Sequence, residues 1–432
     1  MKYYSLNKKS PLADFKEATI RGQAPDKGLY FPQTIPQLSR SMVEKIEQYS
    51  NEEIAYQIIK PYVGETMGEE ELKEIVRETI NFPIPLVSIS DDIYALELFH
   101  GPTLAFKDVG ARFMSRCLSH FAKDNNQRVI VLVATSGDTG GAVAHSFYGV
   151  ENVDVVILYP SGKVSPLQEK QLTTLGRNIH ALEVEGNFDD CQTMVKQAFA
   201  DTSLTEKLFL TSANSINVAR WLPQQFYYAL AWKQWPFKEQ PPVICVPSGN
   251  FGNICAGILA HTSGIPVKSF IAACNANDVI PNYFVTGSFE NKAAVATASN
   301  AMDVASPSNF IRILELFDGV LDDVKKRIVA TSTSDLLTKE TIKRVFAEHH
   351  YILDPHSAVA YHALEKYLSE QPGKKGMIIS TAHPVKFPEI VEQEIGQAIP
   401  FPEAAKYLIN KPSLKTKMEV SYQRLKEFLE AV

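Results

Sequence analysis

The stretch Val243-Ile244-Cys245-Val246-Pro247-Ser248-Gly249-Asn250-Phe251-Gly252-Asn253 decides the fold. A short apolar, β-branched run ends in a loop that carries two glycines, and an apolar helical pattern follows through Ile254 and Ile258. Strand, tight loop and helix in that order form the unit from which parallel α/β sheets are wound. Glycines at 249 and 252 allow positive φ, so successive backbone N–H groups can converge on an anion at the helix N-terminus. The same spacing also describes an ordinary tight turn capped by asparagines.

Moving outward, apolar β-branched runs at 128–134, 153–159, 267–273 and 377–380 alternate with helical patterns at 165–175 and 189–200, which extends the parallel α/β reading along the chain. Ligands in such sheets gather beyond the carboxyl ends of strands. Two more junctions of that kind stand out. Val129 to Ala134 runs into Thr135-Ser136-Gly137-Asp138-Thr139-Gly140-Gly141, with a helix expected from near Ala142. Its hydroxyls and amides suit a carboxylate or phosphate, while a capped glycine-rich turn is the plain alternative, with Asp138 as an Asx-turn or helix cap. Met377 to Ser380 ends in Thr381-Ala382-His383-Pro384, where the Thr381 hydroxyl can meet a ring nitrogen or close a simple turn. His383 reads as a hydrogen-bonded structural histidine.

Lys107 breaks a local rule. It closes the apolar approach Leu98-Phe99-His100-Gly101-Pro102-Thr103-Leu104-Ala105-Phe106, and Val109, Phe113, Cys117 and Phe121 then recur at helical spacing. The lysine therefore sits near a helix N-terminus, where the macrodipole disfavours a positive side chain. Burial and the dipole both lower an amine's pKa, which is what a lysine needs to form a Schiff base. A lysine snorkelling from a helix end is the alternative.

The totals narrow the class. A chain of 432 residues calls for two or three domains, and Phe82-Pro83-Ile84-Pro85 marks a boundary after a mainly helical, charged beginning. Net charge is −6 with signs interspersed, which points away from nucleic acid and membrane surfaces and toward small-molecule chemistry. The five cysteines, at 117, 191, 245, 255 and 274, lack C-x-x-C spacing, and neither a signal peptide nor a spanning segment is visible. A soluble, cytoplasmic protein with reduced thiols is expected. No G-x-G-x-x-G follows a strand, and neither a P-loop nor a G-x-S-x-G motif occurs. His349, His350, His356 and His362 lack the H-E-x-x-H arrangement, so no metal is expected. The stretch 285–350 reads as helical and charged without chemistry, and 411–432 as an amphipathic terminal helix.

A lysine, a phosphate-cradling loop and a strand-end hydroxyl together describe a pyridoxal-phosphate site, and the strings that carry them resemble the threonine synthase family. His100-Gly101-Pro102-Thr103-Leu104-Ala105-Phe106-Lys107-Asp108 is similar to that family's cofactor-lysine segment, Pro247 to Asn253 to its phosphate loop, and Thr381-Ala382-His383-Pro384 completes the set. Supporting strings are Thr135 to Gly140, Ser165-Pro166-Leu167-Gln168, Asn214-Ser215-Ile216-Asn217 with Ala219-Arg220, and Leu353-Asp354-Pro355-His356. They run in family order from Arg21-Gly22 to Pro388 and so span nearly the whole chain. Departures at Ile20, Ala305 and Ser357 bear on substrate positioning and leave the three cofactor elements intact.

The resemblance implies fold type II of the pyridoxal-phosphate enzymes, tryptophan synthase β-like, with two doubly wound parallel-sheet domains and an N-terminal mainly helical domain. The expected division is 1–85 for the N-terminal domain, 86–128 with 240–410 for the large cofactor domain, 129–239 for a smaller mobile domain, and 411–432 for the terminal helix. It also implies conversion of O-phospho-L-homoserine and water to L-threonine and phosphate. The charge pattern leaves a small-molecule substrate and no nucleic-acid or membrane partner, for a protein expected as a monomer or homodimer. Lys107 would hold the cofactor and shuttle protons. Gly249, Asn250, Phe251, Gly252 and Asn253 would bind its phosphate, and Thr381 its ring nitrogen. Thr135, Ser136 and Thr139 would meet the substrate carboxylate, with Arg220, Lys163, Arg112 and Arg21 as candidates for the leaving phosphate and surface salt bridges as their alternative. Two rivals remain: a phospholyase releasing a keto acid, separable by product analysis, and a non-catalytic binding module, which would show cofactor absorbance without phosphate release.

Overall fold

The β-branched apolar runs become strands because each is covered on both faces. Val129–Ala134, Val153–Pro160, Val243–Pro247 and Gly376–Ser380 are buried at every residue, as parallel strands under helices must be. The computed structural model describes residues 1–122, 128–290, 292–408 and 410–432. It divides into two units, one made of Met1, 31–106 and 221–400, the other of 2–30, 107–220 and 401–432.

The first unit holds a six-stranded sheet in the order Ile328–Ser332, Ser269–Cys274, Val243–Pro247, Gly376–Ser380, Ile93–Glu97, Leu86–Ser88. All neighbours pair in parallel except the last two, which are antiparallel. The chain fills one side of Val243–Pro247 and then crosses to place Gly376–Ser380 on the other, so a topological switch point lies between those two strands. In the second unit five parallel strands follow the order Thr416–Met418, Ile179–Val184, Val153–Pro160, Val129–Ala134, Phe209–Thr211. Its switch point falls between Val129–Ala134 and Phe209–Thr211. Ile130, Leu132 and Ala134 alternate onto one face of that sheet and meet Cys191, Met194, Val195 and Ala198 of the helix Phe188–Ala200. Leu425 and Leu429 of the helix Tyr422–Ala431 join the same core.

These units differ from the expected division. Residues 1–85 are shared between the two units. Phe15, in the helix Phe15–Arg21, packs edge-on against Phe113 and Phe121 at centroid distances of 6.4 and 6.2 Å, and Asn217 Nδ2 donates to the Thr19 carbonyl at 2.8 Å. That segment therefore belongs with 107–220. The helix Asn51–Val63 goes with the first unit, where Tyr62 donates to Gln225 Oε1 at 3.4 Å and Lys233 Nζ to Asn51 Oδ1 at 2.9 Å. Within the expected 86–128 block the unit changes at Lys107, and 123–127 lie outside the described residues. The terminal stretch is only half helix: Thr416–Met418 first adds as a strand beside Ile179–Val184.

Among the described residues no helix is long and apolar enough to cross a membrane. All five cysteines are free and buried, and burial pushes the Cys255 thiol up to about 12.

Candidate active site

In the first unit the loops of interest leave three neighbouring parallel strands, since Gly376 pairs with both Val243 and Ile93. The loop after Val243–Pro247 is held from both ends. Ser248 N–H donates to the Ala273 carbonyl and its hydroxyl to the Val246 carbonyl, each at 2.8 Å. Asn250 Oδ1 accepts the Ser308 amide at 2.7 Å and the Ser308 hydroxyl at 2.8 Å, and the Asn250 carbonyl accepts Asn309 Nδ2 at 3.2 Å. Phe251 takes φ 60°, and the helix Gly252–Thr262 begins without a side-chain cap. Its first amides have no partner within the helix and point out of its N-terminus.

Asn253 Oδ1 accepts the Tyr228 hydroxyl at 2.8 Å, and its carbonyl lies 2.9 Å from the same oxygen. Asn253 Nδ2 is buried with no hydrogen-bond partner. An orphaned amide donor beside uncapped helix amides is the donor set a phosphate takes up. Gly249 is required by approach: a Cβ there would stand 2.6 Å from Met302 Cα. Tyr228→Phe removes the donor that fixes Asn253, and a loss of roughly 1–3 kcal/mol in stability is expected from chemical denaturation.

Thr381 follows the strand Gly376–Ser380 and is 7% exposed. The approach to Lys107 is zipped onto this segment. Phe106 N–H donates to the Thr381 carbonyl at 2.8 Å, His383 N–H to the Leu104 carbonyl at 3.0 Å, and the fully buried Lys386 Nζ to the Thr103 carbonyl at 2.9 Å. His383 Nδ1 accepts the Val385 amide at 3.1 Å, the structural role expected of it. Burial, with His100 nearby, pushes His383 down to about 4. A histidine whose folded pKa lies below its ordinary 6.5 binds its proton more readily when unfolded, so stability falls as pH drops from 6.5 toward 4. His383→Gln should remove about 2 kcal/mol of the stability lost between pH 7 and pH 5, read from urea midpoints at the two values.

In the second unit Lys107 is the first residue of the helix Lys107–Ala122, and its side chain is 17% exposed. Its Nζ stands 3.5 Å from Asp138 Oδ2. Arg220, itself buried, donates from Nη1 to the Lys107 carbonyl at 3.4 Å. The helix after Val129–Ala134 starts at Asp138, four residues before Ala142. Asp138 is not its cap: Thr135 Oγ1 accepts the amides of Gly137 at 3.0 Å and Gly140 at 2.9 Å, and Asp138 turns both carboxylate oxygens elsewhere. Thr135 is buried, while Ser136 and Thr139 are partly exposed. Of the remaining cations, Arg21 pairs with Glu17 at 2.9 Å on the surface, Lys163 is exposed, and Arg112 is half-buried.

Several contributors escape a reading of local sequence. Ser308, Asn309 and Met302 come from a segment about fifty residues beyond the loop they shape, where the sequence shows only the departure at Ala305. Gln168 Nε2 donates to Asp138 Oδ1 at 2.9 Å, although its string reads simply as a helix start. His356 Nδ1 pairs with Asp354 Oδ2 at 2.6 Å while its Nε2 accepts the Ala301 amide at 3.2 Å, which fixes its tautomer. Among the described residues no group of three or more His, Cys, Asp or Glu could hold a metal.

Comparison with known proteins gives this geometry a family. A family model described as pyridoxal-phosphate dependent enzyme matches residues 76–381, one for the threonine synthase N terminus matches 2–80, and one for the threonine synthase C-terminal region matches 357–429. The threonine synthase of Serratia marcescens is 45% identical over 430 residues, covering 99% of each chain, and that of Escherichia coli (strain K12) is 43% identical with the same coverage. Among solved structures, threonine synthase from Escherichia coli matches with a TM-score of 0.92 at 42% identity, covering 100% of both chains. The pyridoxal-phosphate-bound threonine synthase from Brucella melitensis matches at 0.94 and 33% identity, covering 100% of this chain and 99% of the other. With a family model over 76–381 and full-length relatives at 43% and 45% identity, the chain belongs to the threonine synthase family of fold type II pyridoxal-phosphate-dependent enzymes.

Proposed function

We propose that this chain converts O-phospho-L-homoserine and water into L-threonine and phosphate. The observation that carries the reading is full-length likeness to threonine synthases at up to 45% identity, joined to a loop with an uncapped helix N-terminus and an orphaned Asn253 donor that fits the phosphate of pyridoxal phosphate. When bound, that cofactor supplies a sink for the electron pair released from the substrate's α carbon.

The chain's own residues then take these roles. Lys107 Nζ would hold the cofactor and, as a free amine, would take the α proton and return protons along the substrate. Gly249, Asn250, Phe251, Gly252 and Asn253 bind the cofactor phosphate, chiefly through backbone amides and Asn253 Nδ2, because Asn250 Oδ1 is held by Ser308. The Thr381 hydroxyl would meet the cofactor's ring nitrogen, and as a neutral partner it would not force that nitrogen to carry a proton. Thr135, Ser136 and Thr139 bind the substrate carboxylate. Thr135 Oγ1 already accepts two amides, so its O–H is what it offers an anion. Arg220, buried in the second unit, serves the substrate's anionic groups. The enzyme works in the cytoplasm, where buried thiols stay reduced, as a monomer or homodimer on a small-molecule substrate.

Incubation of the holoenzyme with O-phospho-L-homoserine tests the reading. Threonine and phosphate in equal amounts are expected. A keto acid in place of threonine would point to the phospholyase, and no phosphate at all to a binding module.

A further inference from the structure

We infer that Asp138 is a positioning residue for the Lys107 amine: it supplies the fixed negative charge that holds Nζ in place whenever that nitrogen carries a proton. This deepens the reading of Lys107 as the proton-moving group and rests on it. Asp138 is 4% exposed, a place where a carboxylate is costly without partners. Loop shape does not require it, because the Thr135 hydroxyl supplies the capping bonds.

The carboxylate is also held more firmly than a chance neighbour would be. Gln168, 1% exposed, sits on the helix Pro166–Thr173, whose start is fixed by a reciprocal pair: Ser165 Oγ accepts the Gln168 amide at 3.3 Å and Gln168 Oε1 accepts the Ser165 amide at 3.1 Å. The side-chain amide thus fixed donates from Nε2 to Asp138 Oδ1 at 2.9 Å and leaves Oδ2 facing Lys107 Nζ at 3.5 Å. Gly137, at φ 132°, makes room for this, since a Cβ there would lie 2.5 Å from Gln168 Cδ. A helix cap, a glutamine, an aspartate and the reactive lysine therefore form one chain of contacts. Asp138 heads its own helix, where the dipole favours a carboxylate, whereas Lys107 heads another, where the dipole opposes an ammonium. The pairing offsets that opposition.

In the step concerned, Lys107 begins as a free amine. The Cα–H bond of the substrate breaks, its electron pair stays on the substrate, where the cofactor would be its sink, and the proton joins the Nζ lone pair to give an ammonium. Asp138 remains a carboxylate throughout. When the ammonium gives its proton to the next substrate carbon, the lone pair returns to Nζ.

Asp138→Asn keeps the shape and the Gln168 bond but turns a donor toward the ammonium. Expected for the holoenzyme are a KM within about threefold of the parent, unchanged borohydride labelling of Lys107, and a kcat lower by about 100-fold. Exchange of the α hydrogen of L-threonine with heavy water, followed by NMR, should slow in parallel. Asp138→Ala should regain at least about tenfold on addition of formate, a small carboxylate that can enter the vacated space. If Asp138→Asn does not fold, Gln168→Leu reads the same contact and should slow exchange with labelling intact. Unchanged exchange in the folded variant, or a loss confined to KM, overturns the inference. A parent protein that makes no threonine defeats the reaction assignment instead, and exchange on L-threonine still reports on Asp138.

Discussion

Lys107→Ala should abolish phosphate release from O-phospho-L-homoserine, with a fall in kcat/KM on the order of 10⁴-fold or more. One amine is asked to hold the cofactor, take the α proton and return it. General acid–base steps alone are worth about 10²–10⁴-fold, and the covalent attachment is lost as well. The variant should fold. Alanine is a good first residue for the helix Lys107–Ala122, loss of a cation there relieves the dipole, and Gln168 still holds Asp138. Borohydride treatment of the parent followed by peptide mass analysis should find a pyridoxyl group on the Lys107 peptide, and the variant should carry none. A label on a different lysine would defeat the assignment. Lys386 is the buried alternative, but its amine is engaged by the Thr103 carbonyl.

The parts that were legible from sequence are those in which a residue's environment repeats along the chain. Val129–Ala134 and Val243–Pro247 read as strands because both faces are buried and every position is apolar or proline. Ile179–Val184 escapes that test because His180 and Glu183 interrupt it. Its polar groups are paired instead, Glu183 with Ser161 at 2.8 Å and with Lys415 at 3.0 Å. Ile328–Ser332 escapes for a different reason: it is an edge strand and partly exposed, so its pattern merges with the charged helices around it.

Lys107 stands out in the sequence because a cation at a helix start is locally unfavourable, and the glycine loop because strand, glycines and helix follow one another; what requires Gly249 is the long-range approach of Met302, and neither Gly249 nor Gly252 takes positive φ. The contacts of Asp138 and Gln168 do not stand out in that way. A carboxylate at a helix start is the ordinary choice for a cap, and only three-dimensional proximity shows Thr135 filling that role. The proline pair at 83–85 is a real break in pattern, yet what assigns 2–30 and 31–85 to different units is long-range contact, such as Phe15 on Phe113 and Lys233 on Asn51. Ser357, a departure from the family string, donates its hydroxyl to Asp354 Oδ1. The serine hydroxyl therefore adds to the contacts that hold the Asp354 cap.

Gly249→Ala should weaken pyridoxal-phosphate binding by about 100-fold while leaving the apoprotein folded. An added Cβ would lie 2.6 Å from Met302 Cα and 3.2 Å from its carbonyl carbon, both backbone atoms, so rotation of a side chain cannot relieve the clash. Nor can Met302 easily retreat. Its amide donates to the Ser299 carbonyl at 2.9 Å, and the next residue, Asp303, accepts Asn275 Nδ2 at 2.9 Å, Asn277 Nδ2 at 3.0 Å, and the Thr297 hydroxyl and amide at 2.7 and 3.0 Å. The displacement must fall on the loop from Ser248 to Asn253, and with it on the amides that bind the phosphate. Overpacking of this kind costs about 1–3 kcal/mol, and each 1.4 kcal/mol is tenfold in affinity. Titration of apoprotein with cofactor, followed by absorbance, measures the loss, and activity should return in part at high cofactor concentration. Adding Met302→Ala to the variant separates backbone from side chain. It removes the thioether but leaves Cα and the carbonyl carbon where they stand, so binding should stay weak. Recovery to the parent's affinity in that double variant would show that the Met302 side chain, and not the close approach of two backbones, is what requires a glycine at 249.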